Sequence, residues 1–239
     1  MKTNLTARAQ FERYLTEAKS GDAYAQSWVG YAYDQGIGVA PDQSEAFKWH
    51  KSAAKKNDTY SENWLAWAFY YGRGAKQSHN ESFKWNYKTA LKGDPLGQYN
   101  VGNAYSEGAG IKKDAKLAVM WWRRAAKQEF LEAICNLGMA YEDGVGVKKS
   151  VAEARSLYQL AARKGDVIAR FNLARFALAK GPPSRAQARF KLILPELRAL
   201  GRKGDAAALL CLGDCATFGW GMRRDGAKGR KWYARAGQM

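Results

Sequence analysis

Four stretches of this chain are variants of one another: YDQGIGVAPD from Tyr33, FYYGRGAKQS from Phe69, YSEGAGIKKD from Tyr105 and YEDGVGVKKS from Tyr141. They recur every 36 residues, and a fifth relative, ATFGWGMRRD, begins at Ala216. A fixed period of this length marks stacked repeats, each too small to bury a core alone. With Gly21 as position 1, the repeats span 21–56, 57–92, 93–128, 129–164, 165–203 and 204–239. The fifth is irregular, with 39 residues, and the others have 36.

Each repeat reads as two helices, over positions 2–15 and 22–35. Position 5 is always small: Ala25, Ser61, Gly97, Ala133, Ala169, Ala208. Position 9 is always apolar, from Val29 to Leu212. Position 10 is small again: Gly30, Ala66, Gly102, Gly138, Ala174, Gly213. Glycine inside a helix costs about 1 kcal/mol against alanine. Its recurrence implies that another helix backbone passes close by. Trp49, Trp85, Trp121, Leu157 and Trp232 are placed on the inner face of the second helix.

The glycine pairs raise the question of a nucleotide loop. A phosphate loop needs Gly-x-x-x-x-Gly-Lys-Ser/Thr between a strand and a helix. Here the spacing is Gly-x-Gly, no strand precedes it, and some sister loops lack the lysines. The pattern instead fits a connector. Gly36, Gly72, Gly108, Gly144 and Gly219 stand where a left-handed helix cap is expected. Asp42, Ser78, Asp114, Ser150 and Asp225 follow as helix starters, and Glu45, Glu81 and Glu153 complete capping boxes in three of them.

At these residues the chain resembles the Sel-like repeat (SLR) family, relatives of tetratricopeptide repeats. The resemblance is clearest in GQYNVGNAYSEGAGIKKDAKLAVMWWRRAA (97–126) and AICNLGMAYEDGVGVKKSVAEARSLYQLAA (133–162). It covers 21–239 and implies an all-α, right-handed α-solenoid of six helix–turn–helix units. Residues 1–20 match half a unit through Phe11, Tyr14 and Ala18, as a capping helix would. The fifth repeat departs, with no Gly-x-Gly loop, Pro182–Pro183 in its turn and Pro195 within its second helix. Proline there is expected to kink or break the helix, or to mark a joint between repeats 1–4 and repeat 6.

The resemblance implies an interaction scaffold, with first helices lining a concave groove. Charge bears on the partner. The chain carries 39 Lys/Arg and 22 Asp/Glu, for a net +17. Residues 1–120 hold only +4 of this excess and residues 121–239 hold +13. A basic surface steers acidic partners, so an acidic protein or peptide is expected. An immunity-type inhibitor of a toxin or effector is one specific form. Nucleic acid is the alternative, bound by the basic C-terminal half; there the aromatics would have to interleave with the charge, and they cluster in the N-terminal repeats instead.

No catalytic, cofactor or metal set emerges. His50 takes a position usually given to Tyr and reads as packing, and His79 opens a second helix on the surface. Cys211 and Cys215 lie four apart on one helix face, half a metal site at most, and read as buried thiols. Glu142–Asp143 reads as solvated. Three cysteines, an odd and sparse count, fit a reducing compartment. The N-terminus shows no signal-peptide core, so a cytoplasmic location is expected. The groove candidates come from positions 8 and 11, with 14 and 15 nearby. They are Trp28, Tyr31, Trp64, Trp67 and Tyr71, then Asn100, Asn103, Asn136, Met139, Asn172 and Arg175. Aromatics and arginine are the residues most enriched in interaction hot spots.

Overall fold

The computed structural model describes residues 6–178 and 183–237, which hold thirteen α-helices and no strand. Helix α1 (Ala7–Lys19) stands alone. Pairs follow in strict alternation: α2 (Ala23–Gln35) with α3 (Gln43–Ala54), α4 (Thr59–Tyr71) with α5 (His79–Leu91), and α6 (Pro95–Glu107) with α7 (Ala115–Lys127). Next come α8 (Leu131–Asp143) with α9 (Val151–Arg163), α10 (Val167–Leu178) with α11 (Pro183–Arg202), and α12 (Ala206–Phe218) with α13 (Gly226–Ala236). This is an all-α repeat solenoid. Its helices form two compact bodies, 1–130 and 131–239. The division therefore falls after the third pair, not at the irregular fifth. That repeat is tied in by an apolar core shared among Phe171, Phe190, Leu197 and Leu212 of α10, α11 and α12.

Five of the six first helices follow an aspartate, with Phe130 in its place before α8. Asp22, Asp58, Asp94 and Asp205 each accept a bond from the position-5 backbone N–H, at 2.6–2.7 Å. These caps satisfy amides that the first helical turn leaves unpaired. Position 5 is small because it lies against the preceding helix. A Cβ on Gly97 would meet the Thr89 hydroxyl and the Ala90 backbone nitrogen. Close backbone approach thus occurs at position 5.

First helices end on glycines in the left-handed region, with φ from 71° to 80° at Gly36, Gly72, Gly108, Gly144 and Gly219. The second loop glycine answers a different need. A Cβ on Gly38, Gly74 or Gly110 would run into the carbonyl of Ala7, Gln43 or His79 respectively, where the preceding second helix begins. The Gly-x-Gly loop is thus a crossing of two chain segments.

The helix starters cap as expected, but the capping box is only half formed. Glu45, Glu81 and Glu153 donate their backbone N–H groups to Asp42, Ser78 and Ser150. The starters' own N–H groups go elsewhere, to carbonyls at position 13: Asp42 to Tyr33 at 3.0 Å, Ser78 to Phe69 at 2.8 Å and Ser150 to Tyr141 at 2.8 Å. With that donor taken, the Glu45 and Glu81 carboxylates pair with Lys48 and Lys84 instead.

Position 10 faces a side chain, where a neighbouring helix backbone was expected. A Cβ on Gly30 would lie 2.8 Å from the His50 ring, and one on Gly138 would lie 2.7 Å from the Tyr158 ring. At Gly102 and Gly213 the rings of Trp122 and Tyr233 stand nearer still. All four partners lie twenty residues on, at position 30. The inner face of the second helix is accordingly turned one residue from the expected one. His50, Trp122 and Tyr158 are buried, whereas of the position-29 residues only Trp121 is.

The same side chain also reaches the next repeat. Tyr14 stacks on Trp28 with centroids 4.4 Å apart, and His50 stacks on Trp64 at 4.3 Å. A second set of rings reinforces this joint edge-on: Phe11–Tyr33, Phe47–Phe69 and Phe83–Tyr105, at 5.3–5.6 Å. The half unit α1 therefore covers repeat 1 as a whole second helix would.

Pro195 does not interrupt α11, which runs 20 residues through it. Ile193, Leu194 and Leu197 are buried on one face, while Lys191, Pro195 and Glu196 are exposed on the other. The carbonyl that loses its partner to proline thus lies on the solvated side. Pro182 lies outside the described residues.

Two outcomes follow from this packing. Gly108→Ala should cost about 1 kcal/mol from positive φ alone, since an added Cβ there finds no atom closer than 3.5 Å. Gly110→Ala adds a backbone clash and should cost clearly more in urea unfolding. His50 is fully buried, and burial lowers its pKa from 6.5 to about 4, against the opposing pull of Asp34 and Asp58. The unfolded chain therefore takes up this proton first. The stability conferred by the neutral ring is complete above pH 6.5 and is lost as pH falls toward 4, by up to about 1.4 kcal/mol per pH unit. His50→Tyr should flatten the melting temperature between pH 6.5 and 5 relative to the parent chain.

Candidate aromatic groove site

Positions 8 and 11 are one helical turn apart, yet they divide between interior and surface. In residues 1–130 the position-8 rings go inward. Trp64 is 8% exposed against His50, and Trp28 is half-buried against Tyr14. They belong to the joint between repeats. Asn100, at the same position, donates to the Asn86 side chain across the next joint at 3.1 Å. Position 11 faces out: Tyr31 is 38% exposed and Trp67 36%. Tyr71, one turn further along α4, is more open at 57%. Of the four candidate rings at positions 8 and 11, then, Tyr31 and Trp67 are presented on the surface, while Trp28 and Trp64 belong to the joints between repeats.

The sharpest feature is a cavity of about 290 Å³ between α4, α5 and α6. Trp67, Tyr70, Tyr71, Phe83 and Tyr99 line it, with Asn86, Asn100, Asn103, His79 and Glu107. Four of the groove candidates, Trp67, Tyr71, Asn100 and Asn103, meet here. The cavity coincides with a change in the register. Repeat 2 has Ala66 at position 10 and Asn86 at position 30, where repeats 1 and 3 have Gly with His50 or Trp122. The missing ring leaves space, and Ala66 and Asn86 both border it.

The walls are held in place. Trp67 packs against Tyr71 at 5.5 Å, Tyr70 lies edge-on to Tyr71 at 5.0 Å and 4.8 Å from the exposed His79. Tyr70 hydrogen-bonds Glu107, and burial together with that carboxylate raises its pKa. Asn103 accepts from the Trp122 indole at 3.0 Å, which fixes the orientation of its amide. The Arg73 guanidinium sits 4.7 Å over the Trp67 ring from outside the lining.

In residues 131–239 the remaining candidates have other surroundings. Met139 is 44% exposed, Asn136 is half-buried and Asn172 is buried. Arg175 is not an open donor. It binds both Glu142 oxygens, at 2.6 and 2.8 Å, and Tyr158 donates to the same carboxylate. Glu142 is therefore a half-buried partner, not the solvated carboxylate expected beside Asp143. Tyr233 bonds Asp214 at 2.6 Å in the same manner. Cys211 and Cys215 are buried, and burial with Asp214 nearby pushes both thiols up, Cys215 to about 12. Among the described residues no group of three His, Cys, Asp or Glu side chains could hold a metal, and no helix is long and apolar enough to cross a membrane.

The chain is similar to known repeat proteins along nearly its whole length. A Sel1 repeat protein from Oxalobacter formigenes shares 30% identity at a TM-score of 0.74, covering 97% of this chain and 94% of that one. The c5321 protein, a protective antigen of uropathogenic Escherichia coli with an SLR fold, shares 31% identity at a TM-score of 0.69. The match takes in 95% of this chain, which spans about half, 48%, of that protein. No curated protein matches. The Sel1 repeat pattern matches residues 23–58, 59–94, 95–130, 131–166 and 204–239, passing over only the irregular repeat and the capping helix, and the chain belongs to the Sel1 repeat family.

Proposed function

We propose that this chain is a binding scaffold rather than an enzyme, and that it holds a protein or peptide partner against the first-helix face of residues 1–130. One observation carries the reading. Trp67, Tyr71 and Tyr31 stand exposed where the core does not need them, because Leu65, Val29 and the position-8 rings already fill the interior. Large aromatic side chains left open, of which Trp67 and Tyr71 also line a preformed cavity, are the usual anchors of an interface. The net charge of +17 supports an acidic partner surface, attracted mainly to the basic C-terminal half. An immunity-type role, with a toxin or effector as the partner, is one form of this proposal.

The test is capture from source lysate, with and without nuclease, using the parent chain and Trp67→Ala. A protein band that survives nuclease and is held at least about thirtyfold more weakly by Trp67→Ala supports the scaffold. Loss of all captured material on nuclease treatment favours nucleic acid instead. Stability provides the control. Trp67→Ala should lose clearly less in urea unfolding than Trp64→Ala, which should lose about 3–5 kcal/mol as a core deletion. Equal losses for the two variants would place Trp67 in the core and remove the anchor.

A further inference from the structure

The cavity between α4, α5 and α6 has a chemistry of its own, opposite in sign to the chain. Of the fourteen described residues lining it, none is Lys or Arg, although the chain holds 39 of them. The one carboxylate in the lining is Glu107, exposed at the rim and bonded by Tyr70. The rest of the wall is aromatic rings, the His79 imidazole among them, with side-chain amides, the Ser82 hydroxyl and the methyl groups of Ala66, Ala104 and Ala109. Ring faces carry partial negative charge and attract cations, most strongly for Trp. One ring already shows this behaviour, since Arg73 places its guanidinium over Trp67. The size is also selective. About 290 Å³ lies at the lower edge of small-molecule pockets, which suits one long side chain better than a folded surface.

We infer that this cavity receives a single basic side chain, a lysine or arginine, from an extended segment of the protein partner. The aliphatic stem lies against Trp67, Tyr71 and Tyr99, and the charged head turns toward Glu107 at the rim. The neutral amides of Asn100 and Asn103 flank it without adding charge. A carboxylate side chain would meet the reverse: ring faces, and a like charge at Glu107. This rests on the scaffold reading for its source of ligand, but the chemistry of the cavity is testable without the partner. The inference also refines the acidic partner expected from net charge. Such a partner would be acidic where it faces the basic C-terminal half, and would carry one basic anchor for this cavity.

The experiment uses the full chain and three short probes, acetyl-Gly-Arg-Gly-amide and its norleucine and glutamate counterparts, followed by NMR at the Trp67 indole N–H. Saturable shifts are expected with the arginine probe, and binding about fivefold or more weaker with norleucine and with glutamate. Glu107→Gln, which removes the charge and keeps an acceptor for the Tyr70 hydroxyl, should weaken the arginine probe about fivefold and leave norleucine unchanged. Norleucine binding as well as arginine, glutamate binding better, or no saturable shift with arginine would each overturn the inference. The two readings can fail separately. If lysate capture through Trp67 succeeds while norleucine equals arginine, the scaffold stands and the cation site falls. If arginine binds selectively while no protein is captured, the reverse holds.

Discussion

In repeats 1, 3, 4 and 6, the contact between the position-30 side chain of the second helix and the position-10 glycine of its own first helix sets most of this structure. At 2.7–2.8 Å from an ideal Cβ, the His50 and Tyr158 rings occupy the volume that any side chain on Gly30 or Gly138 would need. A glycine in mid-helix costs about 1 kcal/mol in propensity. What it allows is a ring seated directly on the helix backbone. From that seat the ring does two further things. It stacks on position 8 of the next repeat, as His50 does on Trp64. Its polar edge bonds to the first helix, as Trp122 does to Asn103, Tyr158 to Glu142 and Tyr233 to Asp214. The position-30 ring therefore closes the helix pair and, according to the repeat, joins it to its neighbour or orients a polar group on the first-helix face.

The aromatic cavity is a local exception to this rule. Repeat 2 carries alanine and asparagine in place of glycine and a ring, and the space so released opens between α4, α5 and α6. The adjoining joints stay closed by His50 on Trp64 and by Asn86 to Asn100, so the gap does not propagate along the stack. This arrangement suits a binding cleft. Its floor is fixed by packing that other residues supply, and the rings at its mouth, Trp67 and Tyr71, are left exposed. Preorganised walls of this kind lower the ordering cost of binding.

Much of this was legible in the sequence because the repeat multiplies each signal. Six copies fix the helix pairs, and five fix the left-handed caps, as at Gly36 or Gly108, and the starters, as at Asp42 or Ser150. What could not be read was which of two adjacent side chains points inward. Trp49 and His50 are neighbours, and hydrophobicity favours the tryptophan, yet the histidine is the buried one because its ring fits over Gly30. The same ambiguity merged Trp64 with Trp67, three residues apart on one face, though the first is core and the second surface. Pairing across the repeat was equally invisible: Arg175 and Glu142 are 33 residues apart and neutralise each other. The signal that could have found the cavity was present, since Ala66 and Asn86 depart together from the glycine-and-ring pattern of their neighbours.

The most direct test is a double-mutant cycle on Gly138 and Tyr158, followed by urea unfolding. Helix propensity alone says that Gly138→Ala should stabilise the chain by about 1 kcal/mol. Seating of the Tyr158 ring on the glycine says that it should destabilise by about 1–3 kcal/mol, as overpacking does. It also says that the same change should become neutral or stabilising beside Tyr158→Asn, which recreates the alanine–asparagine pair of repeat 2. A Gly138→Ala chain more stable than the parent, or a penalty that persists beside Tyr158→Asn, would contradict the account.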